Sequence, residues 1–524
     1  MGRAPRRAVA VVLAGLALLV AGCTVGPSQR PPVAVRGESM PAPPAPTTPP
    51  AAPEILPEPT AQSPSIPLFE CTDEALGRLS GLPPAGRTLQ VECGEIDVPA
   101  DYEQPGRGRV SLNVLSVATP GAPADRPPLL VLGDTAGEAS ALAAVQLAGQ
   151  VQPGVLERFR LIGLDRRGAG ADLLDCAPTD ARAAIVDADL TGSGDQELAR
   201  LLEEARSVVQ ECTITLDGGL GTFRTNATST DVEALRTALG VPRLSAIGVG
   251  DGAAALAGWA RMFPQAVGRV VLDSPPHPTL DEPGLSESRA AAAEAAFDAF
   301  AVNCTAQPAC PLGADPRAAV RGLLDRLHVR PLAAADGRRL TAGGAVNALL
   351  VGLAQPDGWP ALAGAAAALG AGDPTALLDV LEPVAGTSGR FDTMLATACN
   401  DSRNRLAPGE VADLFGRWRA SYPIFGGTLA LHLLACAPWP TGGPPPPDGP
   451  AAGAPPILVI GGAADPRNPA DGARQTADSL ASARYLSWQG AGTGSYPRTA
   501  CVRSVVDADL LGGVIPQPEI LCPP

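Results

Sequence analysis

Residues 243–264 read RLSAIGVGDGAAALAGWARMFP: an apolar run, a glycine-dense turn, then an alanine-rich helical pattern closing on Phe263-Pro264. A strand, a sharp turn and a helix in immediate succession form the grammar of a nucleophile elbow, written Gly-x-Ser-x-Gly. This chain writes Gly248-Val249-Gly250-Asp251-Gly252. A glycine stands where the serine belongs.

The flanking pattern fits such a turn. Strand-length apolar runs at 110–117, 128–132, 159–164, 244–248 and 269–272 alternate with helical patterns at 196–210, 229–239 and 253–262. Strands alternating with helices predict a doubly wound, mostly parallel sheet. After Asp273 the pattern changes to alanine-rich helical segments at 286–301, 317–327, 341–355 and 359–371. A Pro/Gly stretch over 438–456 closes that block, and strand grammar returns at 457–460 and 484–487. The expected organisation is a signal segment 1–22, a Pro/Ala-rich disordered tether 23–68, a core at 69–278 and 451–524, and a helical lid at 279–450.

Arg3, Arg6 and Arg7 precede an apolar stretch, Ala8 to Leu19, that is short for a bilayer span. The stretch ends Leu19-Val20-Ala21-Gly22-Cys23, the small-residue boundary at which an exported bacterial lipoprotein is cleaved and its cysteine lipidated. The expectation is an extracytoplasmic protein, lipid-anchored to the cell membrane through Cys23, with a plain secretory signal as the alternative. The tether lacks a hydrophobic period and cannot bury enough apolar surface to order itself.

Ten cysteines follow Cys23, and an even count in an exported chain suggests disulfides. Pairing sequence neighbours gives Cys71–Cys93, Cys176–Cys212, Cys304–Cys310, Cys399–Cys436 and Cys501–Cys522, although sequence alone does not fix connectivity. No cysteine spacing suits zinc, and the chain has only three histidines, so neither a metal nor a cofactor is expected. The net charge of −15 speaks against nucleic acid as a partner. All 39 cationic residues are arginine, which excludes a Ser-Lys dyad and a lysine Schiff base.

Several motifs in order resemble the secreted tripeptidyl-aminopeptidase-like α/β-hydrolases. They are Asp165-Arg166-Arg167-Gly168-Ala169-Gly170, the helix from Ser229 to Gly240 that leads into the elbow strand, Cys399-Asn400-Asp401, Cys436-Ala437-Pro438-Trp439-Pro440 and Gly461-Gly462-Ala463-Ala464-Asp465-Pro466. The resemblance covers most of the chain after the tether. It implies an α/β-hydrolase fold with a helical lid and the cleavage of short peptides from N-termini.

Laid on that pattern, the chemistry is missing. A serine hydrolase needs an activated hydroxyl, an imidazole, an orienting carboxylate and amide donors for the oxyanion. Gly250 holds the nucleophile position, Thr493 (in Gly490-Ala491-Gly492-Thr493-Gly494) the base position, and only Asp465 keeps the acid position. The oxyanion-equivalent residues are Gly133, Asp134 and Asp251, and the Asp134 carboxylate is expected to repel a developing oxyanion. Two classes stay open: a pseudo-hydrolase binding a peptide, a lipid or an envelope partner protein, and an active peptidase or esterase with a relocated site. The second would draw on Asp251 as nucleophile or on His277, against a helix-N-terminal aspartate and an idle loop histidine. Arg166 and Arg167 are expected to brace loops beside the cleft, and Thr493 to fill the space of the imidazole.

Overall fold

The computed structural model describes residues 55–79, 87–190, 194–386, 389–440 and 445–524. Cys23, the signal segment and the tether up to residue 54 lie outside the described residues. Twelve strands lie among them: β1 (Phe69–Glu70), β2 (Gln90–Pro99), β3 (Arg109–Ala118), β4 (Pro128–Leu132), β5 (Arg160–Leu164), β6 (Leu244–Val249), β7 (Val267–Asp273), β8 (Leu332–Ala333), β9 (Arg339–Leu340), β10 (Ile457–Ala464), β11 (Ala483–Ala491) and β12 (Glu519–Cys522).

Ten of them form one sheet in the order β1-β2-β3-β5-β4-β6-β7-β10-β11-β12. The three pairings from β1 to β5 are antiparallel and all the others parallel. Strands β4, β5 and β7 are buried along their whole length, as parallel strands covered on both faces must be. Helices Thr225–Ala238, Asp251–Met262 and Ala470–Asp478 cover one face. Helices Ser140–Gln150, Pro153–Arg158 and Ala500–Gly512 cover the other. This is the α/β-hydrolase architecture, with the elbow at the carboxyl end of a central strand.

Between β7 and β10 lies the expected helical excursion, running from helix Glu282–Ala306 to helix Gly426–His432. It has company that the sequence reading placed in the core. Helices Thr179–Val186 and Gly194–Thr215 bury Ile185, Leu198 and Val208 against Val411, Trp418 and Leu434. The cap is therefore built from two stretches of chain, and 279–450 understates it.

The tether boundary at 68 needs a larger correction. Leu56 is 2% exposed and Ile66 7%. The amides of Gln62, Ser63 and Ser65 donate to carbonyls of Asp125, Leu239 and Ala238. Arg269, itself buried, donates to the Pro57 carbonyl at 3.0 Å and to Glu58 at 3.2 Å. Residues 55–68 belong to the folded body because distant partners hold them, and composition cannot reveal such partners.

Five disulfides join the five nearest-in-sequence pairs: Cys71–Cys93, Cys176–Cys212, Cys304–Cys310, Cys399–Cys436 and Cys501–Cys522. Cys176, Cys212 and Asp392 lie together, but the two sulfurs are bonded to each other, and Asp392 accepts from the Cys176 and Ala177 amides and from Arg182. No helix among the described residues is long and apolar enough to cross a membrane.

Candidate functional site

Strand β6 ends at Val249, and helix Asp251–Met262 begins two residues later. Gly250 alone makes the turn, at φ +60° and ψ −128°, a backbone conformation that side chains strain to adopt. Its N–H donates to the Asp273 carbonyl on β7 at 3.0 Å. Gly252 is needed for a different reason: a Cβ there would lie 2.5 Å from the carbonyl oxygens of Leu132 and Gly133. Strand β4 and the helix can meet this closely only over glycine. The elbow keeps its shape without its serine.

The loop after β4 explains what fills it. A Cβ built on Gly250 would lie 1.8 Å from Asp134 Oδ2 and 2.8 Å from Asp134 Cβ. The Asp134 carboxylate accepts from the Ala136 amide at 2.8 Å and from the Asp251 amide at 3.3 Å. Asn468 Nδ2 reaches Oδ2 at 3.4 Å, and an Arg467 nitrogen lies 3.7 Å from Oδ1. The expected repulsion of an incoming oxyanion takes a stronger form here. A carboxylate already sits on the amide that follows the nucleophile position, the donor an oxyanion would need.

Asp251 returns the contact. Its carboxylate accepts from the Thr135 amide at 2.9 Å and from the Thr135 hydroxyl at 2.5 Å, and pairs with Arg166 at 2.5 Å. Burial pushes its pKa up, with Arg166 opposing. The Gly133 amide is occupied as well, donating to Ser140 Oγ at 2.9 Å. The N–H groups of Gly133, Thr135, Ala136 and Asp251 therefore all have partners inside the protein.

Asp465 lies at the end of β10, 1% exposed. Its Oδ1 accepts from the Thr493 hydroxyl at 2.6 Å and from the amides of Arg467 and Asn468 at 2.9 and 3.1 Å. Its Oδ2 is buried without a hydrogen bond. Burial pushes the carboxyl up to about 6, against these donors. Thr493 does more than fill space: its O–H gives the acid the hydrogen bond that an imidazole N–H would otherwise supply. The loop carrying Thr493 is gripped by the cap. The Thr493 amide donates to the Ala354 carbonyl at 3.0 Å, and a Cβ on Gly492 would lie 2.4 Å from Pro356. Arg498 extends the grip to Gln355 and Asp357.

None of the three imidazoles serves this constellation. His277 Nδ1 accepts from the amides of Thr279 and Leu280, both at 3.3 Å, with Thr279 Oγ1 at 3.5 Å. Nδ1 is thus engaged within the turn over 277–280. His328 pairs with Asp189 at 2.7 Å inside the cap. His432 lies 3.4 Å from Asn347 Nδ2, and burial pushes it down to about 4. Asp251, with both oxygens engaged, is a helix-terminal partner of Arg166. Arg167 pairs with Asp231 at 2.8 Å, both fully buried.

Residues 422–522 match the model of the TAP-like protein family. The chain is 28% identical over 462 residues to the serine protease Hip1 of Mycobacterium tuberculosis, covering 82% of this chain and 87% of that one. It is 26% identical to a carboxylesterase B of the same species over 461 residues, covering 83% and 86%. It is 25% identical to the tripeptidyl aminopeptidase of Streptomyces coelicolor over 456 residues, covering 83% of each. The chain carries a TAP-like α/β-hydrolase region and is similar to these proteins along most of its length.

Proposed function

We propose that this chain is a pseudo-hydrolase: an exported, lipid-anchored protein of TAP-like architecture that holds a peptide, lipid or envelope partner without cleaving it. One observation carries the reading. The place where a nucleophile's side chain must begin is occupied by the Asp134 carboxylate, 1.8 Å from a Gly250 Cβ. The base position supports it independently, since Thr493 offers a hydroxyl with no proton-accepting ring. Losing nucleophile or base alone costs several powers of ten in rate. The similarity to named proteases and esterases then describes the scaffold. On this reading the scaffold serves to hold a ligand and not to cleave it.

The test is turnover by the purified protein. A fluorophosphonate probe should leave it unlabelled, and short aminoacyl and acyl substrates should not be hydrolysed above a heat-treated control. Hydrolysis that disappears on replacing Asp251 or His277 would establish the relocated-site alternative instead. Capture of an envelope protein by the tethered form identifies the partner.

A further inference from the structure

We propose that Asp134 is an internal ligand of the elbow, a tethered carboxylate that holds the oxyanion-side amides and excludes both a nucleophile side chain and an acyl carbonyl. The inference concerns the same site and rests on the reading that it no longer hydrolyses.

The contacts form a reciprocal clasp. The loop after β4 sends Asp134 to the amide of Asp251, the first residue of helix Asp251–Met262. The helix sends Asp251 back to the amide and hydroxyl of Thr135 in the loop. Each element supplies the carboxylate that satisfies the other's backbone. A helix N-terminus favours an anion, and here both anions are built in. The side chain of Asp134 is 11% exposed, so it is a fixture of the site. Turning its carboxylate alone makes no room at Gly250, because Asp134 Cβ itself lies 2.8 Å from the added Cβ. To admit a side chain, Asp134 must swing away and release Ala136, Asp251 and Asn468 together.

This predicts an unusual pattern of coupling. Gly250→Ser adds a side chain that Asp134 rejects, and Asp134→Gly opens two amides and exposes the Arg467 charge. Each alone should lower the urea midpoint, while the double variant should be more stable than Gly250→Ser alone. Acetate, the chemical equivalent of the deleted side chain, should restore most of the midpoint lost in Asp134→Gly, and equal chloride should not. Additive losses across the cycle, or acetate acting no differently from chloride, overturn the proposal. Should Asp134→Gly fail to fold, Asp134→Asn carries the test. It keeps the shape and removes the charge, so it should be less stable than the parent and still reject Gly250→Ser. An Asp134→Asn protein as stable as the parent and indifferent to Gly250→Ser overturns the proposal equally. Turnover assays judge the loss of hydrolysis, and this cycle judges the clasp, so each can fail without the other.

Discussion

The Thr493 hydroxyl donates to Asp465 Oδ1 at 2.6 Å, as a triad imidazole N–H donates to its acid, but Thr493 carries no ring nitrogen to take up a proton. Asp465 is held by this hydroxyl and by the amides of Arg467 and Asn468. Thr493→Val should cost about 1.5–3 kcal/mol, the range for a hydrogen bond to a charged group. The loss should be larger at pH 7, where Asp465 is ionised, than at pH 5, below its value of about 6. Urea unfolding at the two pH values measures both.

Stability should fall as the pH rises from about 4 to 7. Burial pushes the carboxyls of Asp165, Asp401 and Asp465 up to about 6 and that of Asp509 to about 7. An unfolded aspartate titrates near ~3.9, so in this window the native state holds more protons than the unfolded chain, and raising the pH favours unfolding. His432 works the other way: lowered from 6.5 to about 4, it adds stability as the pH rises between those values. Four carboxyls outweigh one imidazole. Urea midpoints should be lower at pH 7 than at pH 5, and Asp509→Asn should flatten the upper part of the slope. Midpoints that climb across the window would contradict the account.

Arg167 and Asp231 are bonded twice, Nε to Oδ2 at 2.9 Å and Nη2 to Oδ1 at 2.8 Å, with side chains 2% and 1% exposed. Arg167→Ala leaves a buried carboxylate beside the Tyr102 hydroxyl alone and should cost about 3–5 kcal/mol. Arg167→Lys should recover only part of that, since an ammonium lacks the planar fork. Denaturant unfolding of both variants gives the comparison.

The disulfides should differ in worth. Cys399–Cys436 closes a separation of 37 residues and Cys304–Cys310 one of 6. Loop-closure entropy makes removal of the longer link about 1.6 kcal/mol more costly. Paired serine substitutions compared by guanidinium unfolding test this, and an equal loss would point to native-state contacts as the source.

Reinstalling the missing groups should fail unless the clasp is also released. Gly250→Ser with Thr493→His supplies a hydroxyl and an imidazole beside Asp465, yet keeps the Asp134 side chain, whose Oδ2 a Cβ at 250 would meet at 1.8 Å. Acyl-ester hydrolysis should stay at background in that double variant and appear only with Asp134→Gly added. Hydrolysis in the double variant would mean that Asp134 swings aside freely.

Strands β3, β4 and β6 and the elbow helix were legible because their apolar runs are unbroken or sharply periodic. Strand β2 was not, because its alternation is interrupted by Gly94 and paired with acidic residues, although Val91, Ile96 and Val98 are buried in it. The docking of residues 55–68 was hidden, since the arginine that holds Pro57 and Glu58 lies more than 200 positions away. At the site, the residue types at 134, 250, 251, 465 and 493 were readable one at a time. Their exchange of partners was not. Asp134 looked like an obstacle to an oxyanion, and only side-chain geometry reveals it as the anion already installed.

The grip of the Ala354–Pro356 segment on the loop of Thr493 restricts how anything can reach the elbow. Lifting that rim would carry the loop along and pull the threonine from Asp465, so the doorway cannot lie there without dismantling the floor beneath it. On the proposed binding reading, a ligand enters on another flank.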